Sequence, residues 1–165
     1  MEIRRIHAGE GAEFRAVRLR ALADAPRAYG STLADSEKLP AEAWEERATR
    51  DAKAESNVMY VAVEDGRWYG LAGGYFPPEA EGTAELISVW VDPERRGTGV
   101  GAGLIESVIE WARGRGAARI QLWVTKENLY ARRLYERAGF ADTPETKPLR
   151  SNPSIEQSLM ARELS

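Results

Sequence analysis

The sequence contains no cysteine and only one histidine among its 165 residues. The absence of cysteine excludes disulfide bonds, a thiolate nucleophile and cysteine-based metal sites. The one histidine, His7, follows the first predicted strand, and we interpret it as a surface residue. It leaves too few ligands for zinc, and a Ser-His-Asp hydrolase would have to use it without a Gly-x-Ser-x-Gly segment. We therefore expect no metal cofactor.

The sequence also lacks long apolar runs and a strong charge of either sign. No run approaches the roughly 18 residues of a membrane span, and the start of the chain has no apolar segment typical of a secretory signal. A net charge of -3 argues against electrostatic binding of nucleic acid or a membrane surface. We expect a cytoplasmic protein with neither of these partners, folded as a single domain over residues 1–165.

Hydrophobic periodicity and turn residues predict a mixed α/β fold. The first half reads as a strand near Ile3–Ile6, a helix over 9–23, a loop over 28–39, a helix opening at Pro40, and a mostly antiparallel meander of strands over 58–63, 68–76 and 83–91. The second half reads as β-α-β-α-β-β: helix 99–113, strand 120–124, helix 128–137, a short strand from Phe140, a proline-rich loop over 144–153 and a last strand over 154–164. A mixed sheet with helices on both faces satisfies this order.

The most informative segment is the glycine-rich turn Asp92–Ala102, which joins a predicted strand to the start of a helix. Glycines let the backbone adopt positive φ and approach a ligand closely. The first amides of a helix are unpaired and lie at the positive end of its dipole, so they bind phosphate. Arg95 and Arg96 add positive charge beside them. The segment therefore predicts a site for a phosphate-bearing ligand.

Two familiar phosphate-binding turns fit this segment less well. A P-loop requires Lys followed by Ser or Thr after the last glycine, and these are missing. Gly97, Gly99 and Ala102 formally match the dinucleotide pattern, which also requires an acidic residue at the end of the next strand. That strand ends in Thr125 and Lys126, so the carboxylate is absent.

The segment resembles motif A of the GNAT superfamily of N-acetyltransferases, through Arg96, Gly99 and Gly101. The strand Ala84–Pro93 looks like the family's fourth strand. Asn128, Tyr135 and the run Ala138–Phe140 look like its motif B. The resemblance covers about residues 83–142 and implies the GNAT fold, with acetyl-coenzyme A as cosubstrate.

The resemblance also implies site residues for the coenzyme. The pyrophosphate would be held by the turn, the pantetheine arm by the backbone of the fourth strand, and the coenzyme further contacted by residues of motif B. The coenzyme residues are Val89, Trp90, Val91, Arg96, Gly97, Thr98, Gly99, Val100, Gly101, Ala102, Asn128 and Tyr135. Asn128 is equally suited to cap a helix. The Trp90 side chain is expected in the core or in the wall of the acceptor pocket.

Two residues are candidates for catalysis. Tyr135 matches the family tyrosine that protonates the departing thiolate. Glu85 is the candidate base, at the offset used by histone-acetylating members, because an alkylamine with a pKa near 10.4 is almost fully protonated at neutral pH. We expect Glu85 to share one strand face with Ile87, Val89 and Val91.

The expected activity is acetyl transfer from acetyl-coenzyme A to a primary amine of a small molecule or peptide, by direct attack in a ternary complex. Family members are often dimers, so a homodimer is also expected. A domain that senses acyl-coenzyme A without turnover and a nucleotide-dependent oxidoreductase are the alternatives.

Overall fold

The computed structural model of the chain describes residues 1–164. Its elements are β1 Glu2–Arg5, α1 Gly11–Asp24, α2 Leu33–Glu37, α3 Ala41–Lys53, β2 Asn57–Glu64, β3 Arg67–Tyr75, β4 Thr83–Val91, a 3-10 turn Pro93–Arg95, α4 Val100–Gly114, β5 Arg119–Thr125, α5 Leu129–Arg137, β6 Ala141–Leu149 and β7 Asn152–Glu163. The predicted mixed α/β class is confirmed.

The strands form one seven-stranded sheet in the order β1-β2-β3-β4-β5-β7-β6. Neighbouring strands are antiparallel except β4 and β5, which are parallel. Helices α4 and α5 bury apolar residues against one face, and α1 and α3 against the other. Side chains of β2 alternate between the two cores: Val58 and Ala62 face α4, while Met59 and Val61 face α1 and α3.

The segment 28–39, predicted as a loop, contains the short helix α2. Thr32 caps this helix, since its hydroxyl accepts a hydrogen bond from the amide of Asp35 at 3.1 Å. The prediction was wrong here because a helix of five residues is too short to show apolar periodicity.

The proline-rich segment 144–153, also predicted as a loop, lies mostly within a hairpin of β6 and β7. Pro144 and Pro148 are tolerated in β6 because it is the edge strand, where half of the main-chain amides need no ladder partner. The pairing with β7 is interrupted between Asp142 and Thr146, on either side of Pro144.

The start of α1 is held by a side chain of α3. The Glu45 carboxylate accepts hydrogen bonds from the amides of Gly9 at 2.6 Å and Gly11 at 2.9 Å. These bonds satisfy two amides at the beginning of the helix, lower the pKa of Glu45, and fix α1 relative to α3.

None of the helices formed by residues 1–164 combines the length and the apolar character that crossing a membrane requires.

Candidate active site

The parallel strands β4 and β5 separate after a short stretch of pairing. Only Thr83, Ala84 and Glu85 of β4 have partners on β5, although both strands continue beyond this point. Among the residues that the structure describes, the rest of β4, up to Val91, therefore has an edge with no ladder partner in the middle of the sheet. An extended ligand with amide groups could pair with this open edge as a strand would.

A β-bulge lies on β4 at the point where the strands separate. Gly73 pairs with Ile87 and Leu71 with Trp90, so β4 has one residue more than β3 over this interval. Ser88, at the bulge, has a φ of 58°, a conformation that few non-glycine residues adopt. Such a residue is strained, and strained residues are concentrated at functional sites.

The bulge reverses the alternation of side chains along β4. Leu86 and Val91 both belong to the core beneath α4, whereas Trp90 belongs to the core beneath α1 and α3. The expectation that Glu85 shares a face with Val91 was therefore wrong. The extra residue exchanges the two faces of the strand, which simple period-2 alternation cannot anticipate.

The first cavity, of about 430 Å³, occupies the opening between β4 and β5. It is lined by Asp24, Ala25, Ala28, Tyr29, Leu86, Ile87, Ser88, Val89, Trp90, Val91, Arg96, Trp123, Val124, Asn128, Tyr130, Ala131, Leu134 and Tyr135. The structure thus brings six of the sequence-predicted residues to one cavity: Val89, Trp90, Val91, Arg96, Asn128 and Tyr135.

Tyr135 and Tyr29 are neighbouring phenols in the wall of this cavity. Burial raises the pKa of Tyr135, and the nearby Tyr29 raises it further, so its hydroxyl keeps its proton throughout the neutral range. Within residues 1–164 that hydroxyl has no hydrogen-bond partner. The Tyr29 hydroxyl donates to the carbonyl of Val89 at 2.9 Å, and burial raises its pKa to about 12.

The glycine-rich turn lies beside this cavity, at the end of β4. Gly97 and Gly99 have φ values of 79° and 92°, which glycine adopts without strain. In the part of the chain that the structure describes, the amides from Gly97 to Ala102 donate to no acceptor. A Cβ on Gly101 would lie 3.0 Å from Leu134 and 3.4 Å from Val91, so glycine there allows the turn to approach the cavity wall.

The Arg96 side chain folds back from the turn. Its Nε donates to the carbonyl of Val91 at 3.0 Å, and it forms an ion pair with Asp24 at 2.6 Å. Asp24 also accepts a hydrogen bond from the indole of Trp90 at 3.0 Å. Burial alone would raise the pKa of Asp24, but the hydrogen bonds from Trp90 and Arg96 outweigh it and lower the pKa. Arg96 thus joins the end of β4 to the end of α1.

Asn128 caps α5, since its side-chain oxygen accepts a hydrogen bond from the amide of Ala131 at 3.2 Å. One of the two roles considered for this residue is therefore present. Its side-chain amide group makes no bond to residues 1–164 and the residue lines the first cavity. The Trp90 side chain is buried in the core beneath α1 and α3, as expected.

The second cavity, of about 590 Å³, lies on the other side of the bulge and contains Glu85. It shares Ala28, Tyr29, Leu86, Ile87, Ser88 and Trp123 with the first cavity. Glu85 is 9% exposed and accepts hydrogen bonds from Tyr75 at 3.1 Å and Gln121 at 3.0 Å. The structure therefore places Glu85 and Tyr135 on opposite sides of the bulge rather than next to each other.

Sequence reasoning missed Tyr29 and Asp24 as residues of this site. Tyr29 belongs to the segment 28–39, and its main-chain carbonyl is held by the Ser151 hydroxyl from the β6–β7 turn. Neither residue belongs to a motif. The sequence offered only a weak sign of Asp24, which is the last residue of α1.

The sequence matches a known family. The family model described as "Acetyltransferase (GNAT) family" matches residues 20–140 of this chain. The chain belongs to the GNAT family. The matched range covers α2 to α5 and the last turn of α1, and it includes every residue of the first cavity.

Proteins with similar sequences support the assignment to this family. A mycothiol acetyltransferase from Beutenbergia cavernae is 30% identical over 125 residues, which cover 76% of this chain and 39% of that protein. An uncharacterized N-acetyltransferase from Methanocaldococcus jannaschii is 42% identical over 64 residues, 39% of this chain and 28% of that protein. The chain thus spans less than half the length of these curated relatives.

Solved structures show the same fold. A GNAT-family acetyltransferase from Streptococcus pneumoniae superimposes with a TM-score of 0.82 at 22% identity, covering 99% of both chains.

Proposed function

We propose that this GNAT chain transfers the acetyl group of acetyl-coenzyme A to a primary amine of a small molecule or peptide. The observation that carries the proposal is the convergence, around the first cavity, of three features: a strand edge without a ladder partner and a turn whose amides have no acceptor, both within residues 1–164, and a tyrosine that keeps its proton. A structure of YncA from Salmonella typhimurium, described with its cofactor acetyl-CoA, shares this fold with a TM-score of 0.81 at 20% identity, covering 100% of this chain and 94% of that one.

Different parts of the site would bind different parts of the coenzyme. The amides from Gly97 to Ala102 would bind the pyrophosphate, since they have no acceptor within residues 1–164 and lie at the positive end of α4. The open edge of β4 would pair with the amides of the pantetheine arm. The thioester would then lie in the first cavity near Ser88, where the second cavity begins.

The reaction proceeds by direct attack in a ternary complex. Glu85 takes a proton from the ammonium group, directly or through water, from the side of the second cavity, and this leaves a free amine. The amine nitrogen attacks the thioester carbonyl, the new C–N bond forms, and the C–S bond breaks. Tyr135 gives its proton to the departing sulfur from the first cavity, and the second proton lost by the nitrogen as the amide forms restores the tyrosine hydroxyl. Holding the amine and the thioester in line across the bulge supplies much of the rate.

Thermal unfolding with added ligands tests the coenzyme site. A ligand at 100 times its dissociation constant adds about 2.7 kcal/mol to the free energy of unfolding, so acetyl-coenzyme A is expected to raise the midpoint clearly and NAD not at all. Protection by NAD instead would favour a nucleotide-dependent oxidoreductase. No shift with either ligand would remove the basis of the proposal.

Thiol release then distinguishes an enzyme from a sensor of acyl-coenzyme A. With a panel of primary amines, the protein is expected to release coenzyme A, and Glu85→Gln to lose most of this turnover while keeping the thermal shift. A protein that binds acetyl-coenzyme A but releases no thiol with any amine is a sensor.

A further inference from the structure

A third cavity, of about 230 Å³, extends the second one beneath α1 and α3. The two share Arg18, Ser31, Ile87 and Ser88, so they are continuous at the bulge. Their charged lining residues are the cations Arg18, Arg47, Arg50, Lys147 and Arg150 and the carboxylates Glu85 and Asp51. The space leading away from Glu85 is thus positively charged in a protein whose net charge is -3.

Arg18 is the cation in this space that most needs a partner. Its Nη1 is fully enclosed and has no acceptor among residues 1–164, and the residue forms no ion pair with them. Burial lowers its pKa, and the guanidinium lies 4.6 Å from the centre of the Tyr29 ring. By contrast, Arg50 pairs with Asp51 at 3.0 Å, and Arg150 donates to the carbonyl of Gly30.

Trp44 adds a second donor without an acceptor in the described part of the chain. Its side chain is 1% exposed, its indole Nε1 is fully enclosed, and the residue lines the third cavity. An indole N–H can only donate, and a buried donor left without an acceptor lowers the stability of the fold. Two unused donors, one of them charged, therefore lie around the same small space.

We propose that the acceptor carries a carboxylate as well as its amine, and that Arg18 and Trp44 bind this carboxylate in the third cavity. The inference rests on the proposed function and specifies its substrate class. A carboxylate offers two oxygens, one for each free donor, and forms strong hydrogen bonds with a guanidinium. The amino group then reaches the second cavity beside Glu85. An acceptor whose only charges are positive, such as a diamine, would meet like charge at Arg18.

Matched sets of acceptors test the proposal. Each set contains an amino acid or dipeptide, its carboxamide and its decarboxylated amine, assayed by thiol release at saturating acetyl-coenzyme A. The carboxylate member is expected to have at least a tenfold higher kcat/KM than the other two. Arg18→Gln is expected to remove that preference, mainly by raising KM for the carboxylate member.

Two further variants separate binding from folding. Arg18→Lys keeps the charge without the planar fork and is expected to retain part of the preference. Arg15→Gln removes a charge from the same helix but lies outside both cavities, and is expected to keep the full preference. Arg18→Met, measured without acceptor, is expected to raise the unfolding midpoint, because it removes a partly buried cation that has no counterion among residues 1–164.

Several outcomes would overturn the inference without touching the proposed function. They are equal activity on all three members of each set, an equal loss on all three in Arg18→Gln, or a lower midpoint in Arg18→Met. Failure of the proposed function gives a different result: no thiol release with any amine and no thermal shift with acetyl-coenzyme A.

Discussion

At the scale of single residues, the Tyr135 hydroxyl is the atom whose removal most directly tests the chemistry. The ring of Tyr135 packs edge-on against Phe140, with 6.1 Å between ring centroids, so Tyr135→Phe keeps the packing and removes only the proton donor. Because a thiolate is a fairly good leaving group, we expect kcat to fall by about 100-fold or less, the low end for general acid catalysis.

The thermal shift with acetyl-coenzyme A should remain in this variant. The control is Tyr60→Phe, on β2 and outside the first three cavities, for which kcat should not change. Full activity of Tyr135→Phe at saturating substrate would exclude this tyrosine as the acid.

Single residues also show the limit of reasoning from motifs. The motif indicates that Arg96 and Asn128 belong to the site, and both line the first cavity. It does not indicate that the Arg96 guanidinium binds Asp24, because that contact joins residues far apart in the chain. Motifs identify residues that act locally, whereas a side chain's partner depends on packing between distant elements.

At the scale of elements, the start of α4 depends on the conformation of one glycine. Gly99 has open space around it but a φ of 92°, whereas Gly114, at the end of the same helix, has equal space and an ordinary φ. We expect Gly99→Ala to lower the free energy of unfolding by about 1–2 kcal/mol, the cost of a left-handed conformation for a residue with a Cβ. It should also weaken acetyl-coenzyme A binding, since the amides would be displaced.

Gly114→Ala is the matched substitution. Alanine is favoured over glycine in a helix by up to about 1 kcal/mol, so this variant should be as stable as the parent or more so, and should bind acetyl-coenzyme A normally. Chemical denaturation and ligand-induced thermal shifts measure both effects. Equal behaviour of the two variants would mean that the conformation of Gly99 does not shape the site.

Helices and strands could be predicted where the sequence of a single segment was enough to indicate them. The meander, α4, β5 and α5 follow from periodicity and turn residues, and their bounds differ from the prediction by only a few residues. The bulge at Ser88 could not be predicted. It arises because β4 has one residue more than β3 over the paired interval, and the sequence of either strand alone does not show this difference. The third cavity is similar: Arg18 and Trp44 lie on two helices, and only their packing over the sheet brings them together.

At the scale of the whole molecule, three buried or partly buried phenols make stability sensitive to alkali. Burial raises the pKa of Tyr29 and of Tyr75 to about 12, and it also raises the pKa of Tyr135. An unfolded tyrosine has a pKa of about 10, so above that pH the unfolded chain loses protons that the folded chain keeps. The stabilising contribution is complete below pH 10 and is lost as pH rises through about 12.

Denaturation curves between neutral pH and pH 12 measure this loss. Each phenol protonated only in the folded state contributes a slope of about -1.4 kcal/mol per pH unit. Tyr29→Phe should make the decline shallower. An unchanged slope in Tyr29→Phe would contradict the assignment to this phenol.

The amides from Gly97 to Ala102, which have no acceptor within residues 1–164, determine which substitutions this turn can tolerate. Every residue except proline has a main-chain N–H group. A substitution at position 98, 100 or 102 therefore keeps the donor unless it introduces proline. Selection acts on them indirectly, through Gly97 and Gly99, which set the direction of the backbone, and through Gly101, which lets it lie close to Leu134. A saturation scan of this turn should therefore find its sensitive positions among residues that donate no side-chain group to the ligand.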